Sequence, residues 1–266
     1  MAQETMRGLE RGLAVLAALE RFSGLSLRDL HRETKLPKPT LLRILGTLEV
    51  KGYARRRIDD GIWRRTARGQ PEPSSVIEAL LLDVGCDVLD EFCRRVIWPS
   101  DLAVYRDGAM HILESSRRLT PFLINRTGIG LRVPVLQSGL GLAWLAFCSD
   151  DDRAEILARL AASDDPFDRP ARERAHVDAL LAVTRAKGYG IRAKGYQPRR
   201  SMIEEKTCGI ALPVFARGSV VAVINLVWIL SAFDEETFVS LYLSQLREVA
   251  GEIGRRIEAG LAAGSA

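Results

Sequence analysis

Seven consecutive residues, Gly69-Gln70-Pro71-Glu72-Pro73-Ser74-Ser75, carry two prolines and nothing that a hydrophobic core would take up. The stretch reads as a linker, and it divides the 266 residues into two unequal parts. The charge divides at the same place. Residues 1–69 hold 15 Lys and Arg against 8 Asp and Glu, a net of +7, whereas the remainder holds 23 against 26, a net of −3. A basic head on a slightly acidic body is the footprint of a nucleic-acid module joined to something else. Taken alone, it is equally compatible with a basic surface that has no ligand.

With 47% hydrophobic and 27% charged residues, the chain has material for a packed core, which excludes a disordered or fibrous protein. The longest apolar run, Val220–Leu230, is interrupted by Asn225 and falls short of the ~18 residues a membrane span needs. Residues Met1–Gly8 include Glu4 and Arg7 and show no apolar core of a signal peptide. The expectation is a soluble cytoplasmic protein without membrane contact. The four cysteines form no C-x-x-C pair, which argues against a disulfide framework or a zinc site. Cys86 and Cys93 lie seven apart on one expected helix, a spacing that idle cysteines share far more often than redox switches.

The head reads as three helices and a hairpin. Apolar spacing from Leu9 to Leu19 suits an amphipathic helix. Ser26, with Asp29 three residues on, opens a second helix from Leu27 to about Thr34. Lys35-Leu36-Pro37-Lys38-Pro39 is a turn, with Pro39 suited to the first turn of a third helix that ends near Lys51 and Gly52. Tyr53–Ile58 and Ile62–Thr66 flank Asp59-Asp60-Gly61, a hairpin signal. Together these elements make a winged helix-turn-helix.

On the third helix Leu41, Ile44, Leu45 and Leu48 fall on one stripe, which burial would cover. Thr40, Arg43, Thr47 and Lys51 fall on another, and all four can hydrogen-bond to bases or phosphates. Lys38 joins them at the helix start. The hairpin carries Arg55, Arg56, Arg57, Arg64 and Arg65, suited to phosphate or minor-groove contacts. Gly46 is costly in mid-helix, and the close approach of a neighbour would explain it.

The series Ser26-Leu27-x-x-Leu30, Leu36-Pro37-Lys38-x-Thr40-x-x-Arg43-x-Leu45-x-x-Leu48 and Lys51-Gly52-Tyr53 resembles the DNA-binding head of IclR-family transcription regulators. Arg132-Val-Pro134, Ser138-Gly-x-Gly141-x-Ala143, Lys187-Gly188-Tyr189-Gly190 and Gly209-Ile-Ala-x-Pro213-Val214 extend the resemblance over nearly the whole chain. Trp98-Pro99-x-Asp101 and the stretch Gly139–Cys148 are similar to MhpR-type regulators of hydroxyphenylpropionate and related aromatic-acid catabolism. Pro39 stands where the family usually has Ser, and Leu42 where it has an aromatic residue or His, so an operator sequence does not transfer from a relative.

The resemblance implies a linker helix and a GAF-like α+β effector domain, giving domains at 1–69, 70–95 and 96–266. The body's own pattern is compatible with this. Ser74 or Ser75 can cap a helix to about Arg95, apolar enough to pack on a partner subunit. Val96–Arg106 and Met110–Ser115 read as a hairpin around Asp107-Gly108, and Gly209–Phe215 and Ser219–Leu230 as another around Arg217-Gly218. Asp150–Ala162, Arg172–Lys187 and Asp234–Leu261 read as helices. Mixed antiparallel strands with flanking helices make an α+β sensor.

By position, the resemblance points to Ser138, Gly139, Glu204, Glu205, Gly209, Asn225 and Val227 as effector-binding residues. Gly209 stands where many relatives carry Cys. Arg126 and Arg132 could pair a carboxylate, and N–H groups at the helix start near Ser138 suit one. The resemblance implies an aromatic carboxylic acid as effector, a palindromic double-stranded DNA operator, and a homodimer or dimer of dimers. No catalytic motif or metal-ligand spacing is present, the three histidines are isolated, and no cofactor is expected. Two rivals stay open. One is a winged-helix protein-interaction module without a specific DNA site; the other is a small-molecule enzyme with a regulatory head.

Overall fold

The computed structural model describes residues 6–21, 24–57, 61–65, 73–117, 119–122, 132–193, 196 and 207–264. The chain separates into two compact units, Met1–Asp83 and Val84–Ala266, and the division falls inside one long helix.

The first unit contains α1 (Arg7–Arg21), α2 (Leu27–Thr34), α3 (Lys38–Val50), β1 (Ala54–Arg56) and β2 (Trp63–Arg65). Ser26 caps α2 as its sequence foretells, with its Oγ accepting from the Asp29 amide at 3.1 Å. Lys35, in the left-handed region at φ 57°, ends α2 and turns the chain. Leu36 and Pro37 follow, and Pro39 fits the first turn of α3, where a missing N–H leaves no bond unmade. Gly52, at φ 72°, turns the chain out of α3 toward β1. The strands β1 and β2 pair antiparallel, Ala54 opposite Arg65, while the expected turn at Asp59-Asp60 lies outside the described residues. Val15, Leu19, Leu30, Leu41, Leu45, Ala54 and Trp63 form one core, so the wing is packed onto the helices through Trp63.

The long helix α4 (Pro73–Val96) begins at a proline, ahead of the serine cap expected from the sequence. Pro73 can open a helix because the first amide has no intrahelical partner to lose.

The second unit is a six-stranded antiparallel sheet in the order β5-β4-β3-β8-β7-β6. Its strands are β3 (Asp101–Arg106), β4 (Ala109–Ser115), β5 (Arg132–Pro134), β6 (Gly190–Ile191), β7 (Thr207–Ala216) and β8 (Ser219–Ile229). Both predicted hairpins are present, with Asp107-Gly108 and Arg217-Gly218 at positive φ in their turns. Along β8, period-two alternation sends Val223, Asn225 and Val227 to one face and Ile224, Leu226 and Trp228 to the other.

On the first face lies α5 (Gly139–Phe147), whose Leu140 and Ala143 pack on Ala103, Met110, Ile112, Ala211 and Val223. Behind it, α6 (Asp150–Ala161) and α7 (Arg174–Lys187) close a second core through Leu142, Leu145, Ile156, Leu160, Val177 and Leu181. On the other face lie the second half of α4 and the long α8 (Glu235–Ala263), with Trp228 stacked on Phe238 at 4.0 Å between ring centroids. Helices on both faces explain why β8 is buried almost end to end, a pattern that reads as a plain apolar run. No helix of the described residues is long and apolar enough to cross a membrane.

Candidate DNA-reading helix and effector site

Leu41 and Leu45 are fully buried on α3, and Ile44 and Leu48 pack beside them. That anchors the helix by one face and turns Lys38, Arg43 and Thr47 to solvent, with Lys51 exposed just past its end and Thr40 partly covered. The Thr47 hydroxyl donates to the Arg43 carbonyl at 2.9 Å, leaving its oxygen as an acceptor. Two apolar side chains, Leu42 and Val50, are also exposed on this helix, and Gly46 has nothing within 4 Å of where a side chain would start. No neighbour within the described residues explains the glycine.

The wing arginines are not equivalent. Arg56 is exposed; its Nε donates to the Gly61 carbonyl at 3.2 Å, and its amide donates to Glu49 Oε1 at 3.4 Å. Arg55 is partly buried, with its Nε 3.7 Å from Asp83. Arg57 is only 7% exposed, and Arg64 and Arg65 are partly covered. Of the five, Arg56 has the most open approach to a phosphate.

In the body, Ser138 caps α5, its Oγ accepting from the Gly141 amide at 3.0 Å. Three glycines let α5 lie against its neighbours. A Cβ on Gly141 would stand 2.1 Å from the Val135 carbonyl oxygen, and one on Gly190 would stand 2.2 Å from that of Gly139. Gly139 itself faces the carbonyls of Gly190 and Gly209. Gly139 and Gly190 therefore meet each other's backbone, with the Gly209 carbonyl beside Gly139.

Val227 pairs with Gly209 in the sheet and donates its amide to the Pro99 carbonyl. Asn225 is occupied by Asp101: its Oδ1 accepts from the Asp101 amide at 2.6 Å and its Nδ2 donates to the carboxylate at 2.9 Å. Arg132, on the edge strand β5, is exposed and donates to the Asp107 carbonyl at the β3–β4 turn. Arg126, Glu204 and Glu205 lie outside the described residues.

Asp101 anchors a polar cluster that sequence reasoning did not assemble. Its carboxylate, 1% exposed, accepts from Arg117 Nε at 2.8 Å and Nη2 at 2.7 Å, and from Ser115 Oγ at 2.8 Å. Burial opposes its ionisation, but the Arg117 charge and bonds from Arg117, Asn225 and Ser115 outweigh it and hold the carboxyl below the usual range. Close by is Arg192, just past β6. Its Nη1 donates to the carbonyl and hydroxyl of Thr207 at 2.7 and 2.9 Å, and its amide to the Gly209 carbonyl at 3.4 Å. The Ala193 amide donates to the Gln137 carbonyl, which pins Arg192 beside the start of α5. Burial and the charge of Arg117 lower the Arg192 pKa. Tyr196, within the field of Arg192, meets Phe167 edge-on at 5.5 Å. The sequence signal was a carboxylate, Asp101, directly ahead of three apolar residues on a strand.

No group of three His, Cys, Asp or Glu among the described residues is placed to hold a metal ion. Burial pushes the thiols of Cys93, Cys148 and Cys208 up, away from the reactive thiolate.

A winged helix-turn-helix head with an exposed basic recognition helix, followed by an antiparallel-sheet body that encloses ionised side chains, defines a ligand-responsive transcriptional regulator. The chain belongs to the IclR family: residues 8–57 match the IclR helix-turn-helix domain and residues 81–255 match the bacterial transcriptional regulator IclR C-terminal domain. Members bind DNA through the former and a ligand through the latter. The chain is similar to the Pca regulon regulatory protein of Pseudomonas putida, at 26% identity over 227 residues, covering 83% of this chain and 73% of that protein. It is also similar to the transcriptional repressor IclR of Escherichia coli, at 27% over 191 residues, covering 69% and 68%. An IclR family transcriptional regulator from Brucella abortus shares the fold, with a TM-score of 0.51 at 21% identity over 95% of this chain and 93% of that one.

Proposed function

We propose that this protein is a sequence-specific DNA-binding regulator whose operator occupancy is set by an aromatic carboxylic acid held in the body, as in MhpR-type control of aromatic-acid catabolism. Residues 1–69 are the DNA-binding domain, 70–95 the linker and its helix, and 96–266 the effector domain of a cytoplasmic protein. It acts as a homodimer or dimer of dimers, so its operator is a palindrome matching the two-fold axis. The observation that carries this reading is α3. Two fully buried leucines hold it, and the polar residues of its second stripe, Thr40, Arg43, Thr47 and Lys51, are all basic or hydroxylic. Arg43, exposed on that stripe, is suited to a guanine edge, and Arg56 on the wing to a phosphate.

Capture of sheared genomic DNA tests this. Wild type is expected to enrich one or a few intergenic palindromes, and Arg43→Ala to lose them. Arg56→Ala should weaken all DNA similarly and lower the salt slope by about 1. Recovery of only a smooth background by wild type would sink the specific-regulator reading.

A further inference from the structure

We propose that Arg192 receives the carboxylate of the effector, its own charge left over beside the mutually neutralised Asp101–Arg117 pair, with Tyr196 and Phe167 offering the ring its wall. This rests on the reading of the body as an acid sensor and names the group that does the sensing.

The first ground is charge. Two guanidinium groups, Arg117 and Arg192, act on one another beside one carboxylate. Arg117 takes that carboxylate through its Nε and Nη2 edge. Arg192 has no carboxylate within ion-pair distance among the described residues, only the neutral oxygens of Thr207. Arg192 is partly buried, and a partly desolvated cation without a counter-ion is costly to hold. A ligand anion supplies the missing charge.

The second ground is geometry. Thr207 engages Arg192 through Nη1 alone, from two oxygens. Its Nε and Nη2 edge is therefore uncommitted among the described residues, and Arg117 uses the same edge for a two-pronged grip on Asp101. A planar carboxylate fits that edge. Ala193, bonded to Gln137, holds the site beside the N-terminus of α5, whose partial positive charge adds to the same field. The edge-on pair Phe167 and Tyr196 supplies aromatic surface within reach of the Arg192 charge. Arg132, by contrast, donates to a turn carbonyl on the edge strand opposite β6.

Titration calorimetry on the full chain tests the assignment. The probes are benzoate, 4-hydroxybenzoate and 3-phenylpropionate, their neutral carboxamides, and the aliphatic acids propionate and succinate. Wild type is expected to bind at least one aromatic acid saturably and to prefer it to its amide by tenfold or more. Arg192→Gln should lose on the order of 30-fold for the acid, while its affinity for the amide stays within about threefold. Arg192→Lys should recover part of the loss. The melting temperature of ligand-free Arg192→Gln should stay within a few degrees of wild type, because removing an unmatched charge offsets the loss of the two Thr207 bonds; a large fall would mark a structural arginine.

Unchanged acid binding by Arg192→Gln, or a loss confined to Arg132→Gln, overturns the proposal and leaves the aromatic-acid reading standing. Equal losses for acid and amide also overturn it. Binding of aliphatic acids alone, abolished by Arg192→Gln, supports Arg192 and removes the aromatic effector. No saturable binding of any carboxylate by wild type overturns both.

Discussion

Asp101 shows how much one residue's chemistry depends on its surroundings. Enclosed as it is, the carboxyl would titrate above its ordinary value; the Arg117 fork and two further donors reverse that. Because the folded pKa lies below the unfolded value near ~3.9, the stabilisation is fully present above that pH. It is lost as pH falls through the folded value. Arg117→Gln leaves a buried carboxylate without its counter-ion, at a cost of about 3–5 kcal/mol at neutral pH. In the variant burial dominates and the pKa rises, so stability should partly recover on acidification. Urea unfolding at pH 7 and pH 5 measures this; a variant that is no more stable at pH 5 than at pH 7 contradicts the account.

At the scale of elements, α3 and α5 use glycine for different ends. Around α5, backbone oxygens of Val135 and Gly139 occupy the space a Cβ would need at Gly141 on the helix and at Gly190 on β6, so the close packing of the helix requires those residues. On α3, the space around Gly46 is open. Gly46→Ala should therefore raise the thermal stability of the head, by about 0.5–1 kcal/mol from helix propensity alone. If Gly46 exists to let DNA approach, the same variant should bind its operator more weakly. Melting curves and operator titrations on the one variant separate the two effects. Stabilisation with unchanged operator affinity would mean the glycine has no part in reading DNA.

At the scale of the whole molecule, a regulator of this kind couples two ligands through one chain. Coupling in binding is reciprocal: if the effector changes operator affinity by some factor, the operator changes effector affinity by the same factor. Titrating the effector with and without saturating operator DNA, and the operator with and without effector, should return the same factor. An effector that binds both forms equally can shift nothing, however tightly it binds. Unequal factors would show that the DNA and the acid do not act on one shared equilibrium.

What local chemistry controls was open to reading in advance. The Ser26 cap, the Pro39 start of α3, the Asp107-Gly108 and Arg217-Gly218 turns and the two-stripe division of α3 depend on residues within a few positions of one another. Propensity and periodicity suffice for such features. The start of α4 at Pro73 shows the limit, since a proline that suggests a break can also open a helix.

The unequal exposure of the wing arginines, and the Asp101–Arg117–Asn225 cluster with Arg192 beside it, escape such reading. Asp101 and Asn225 are 124 residues apart in the chain, and only the pairing of β3 with β8 makes them neighbours. Arg192 acquires its meaning from which carboxylates come within reach and which do not. Charge pairing and desolvation act through space, so they were settled only when the sheet closed and helices covered both of its faces.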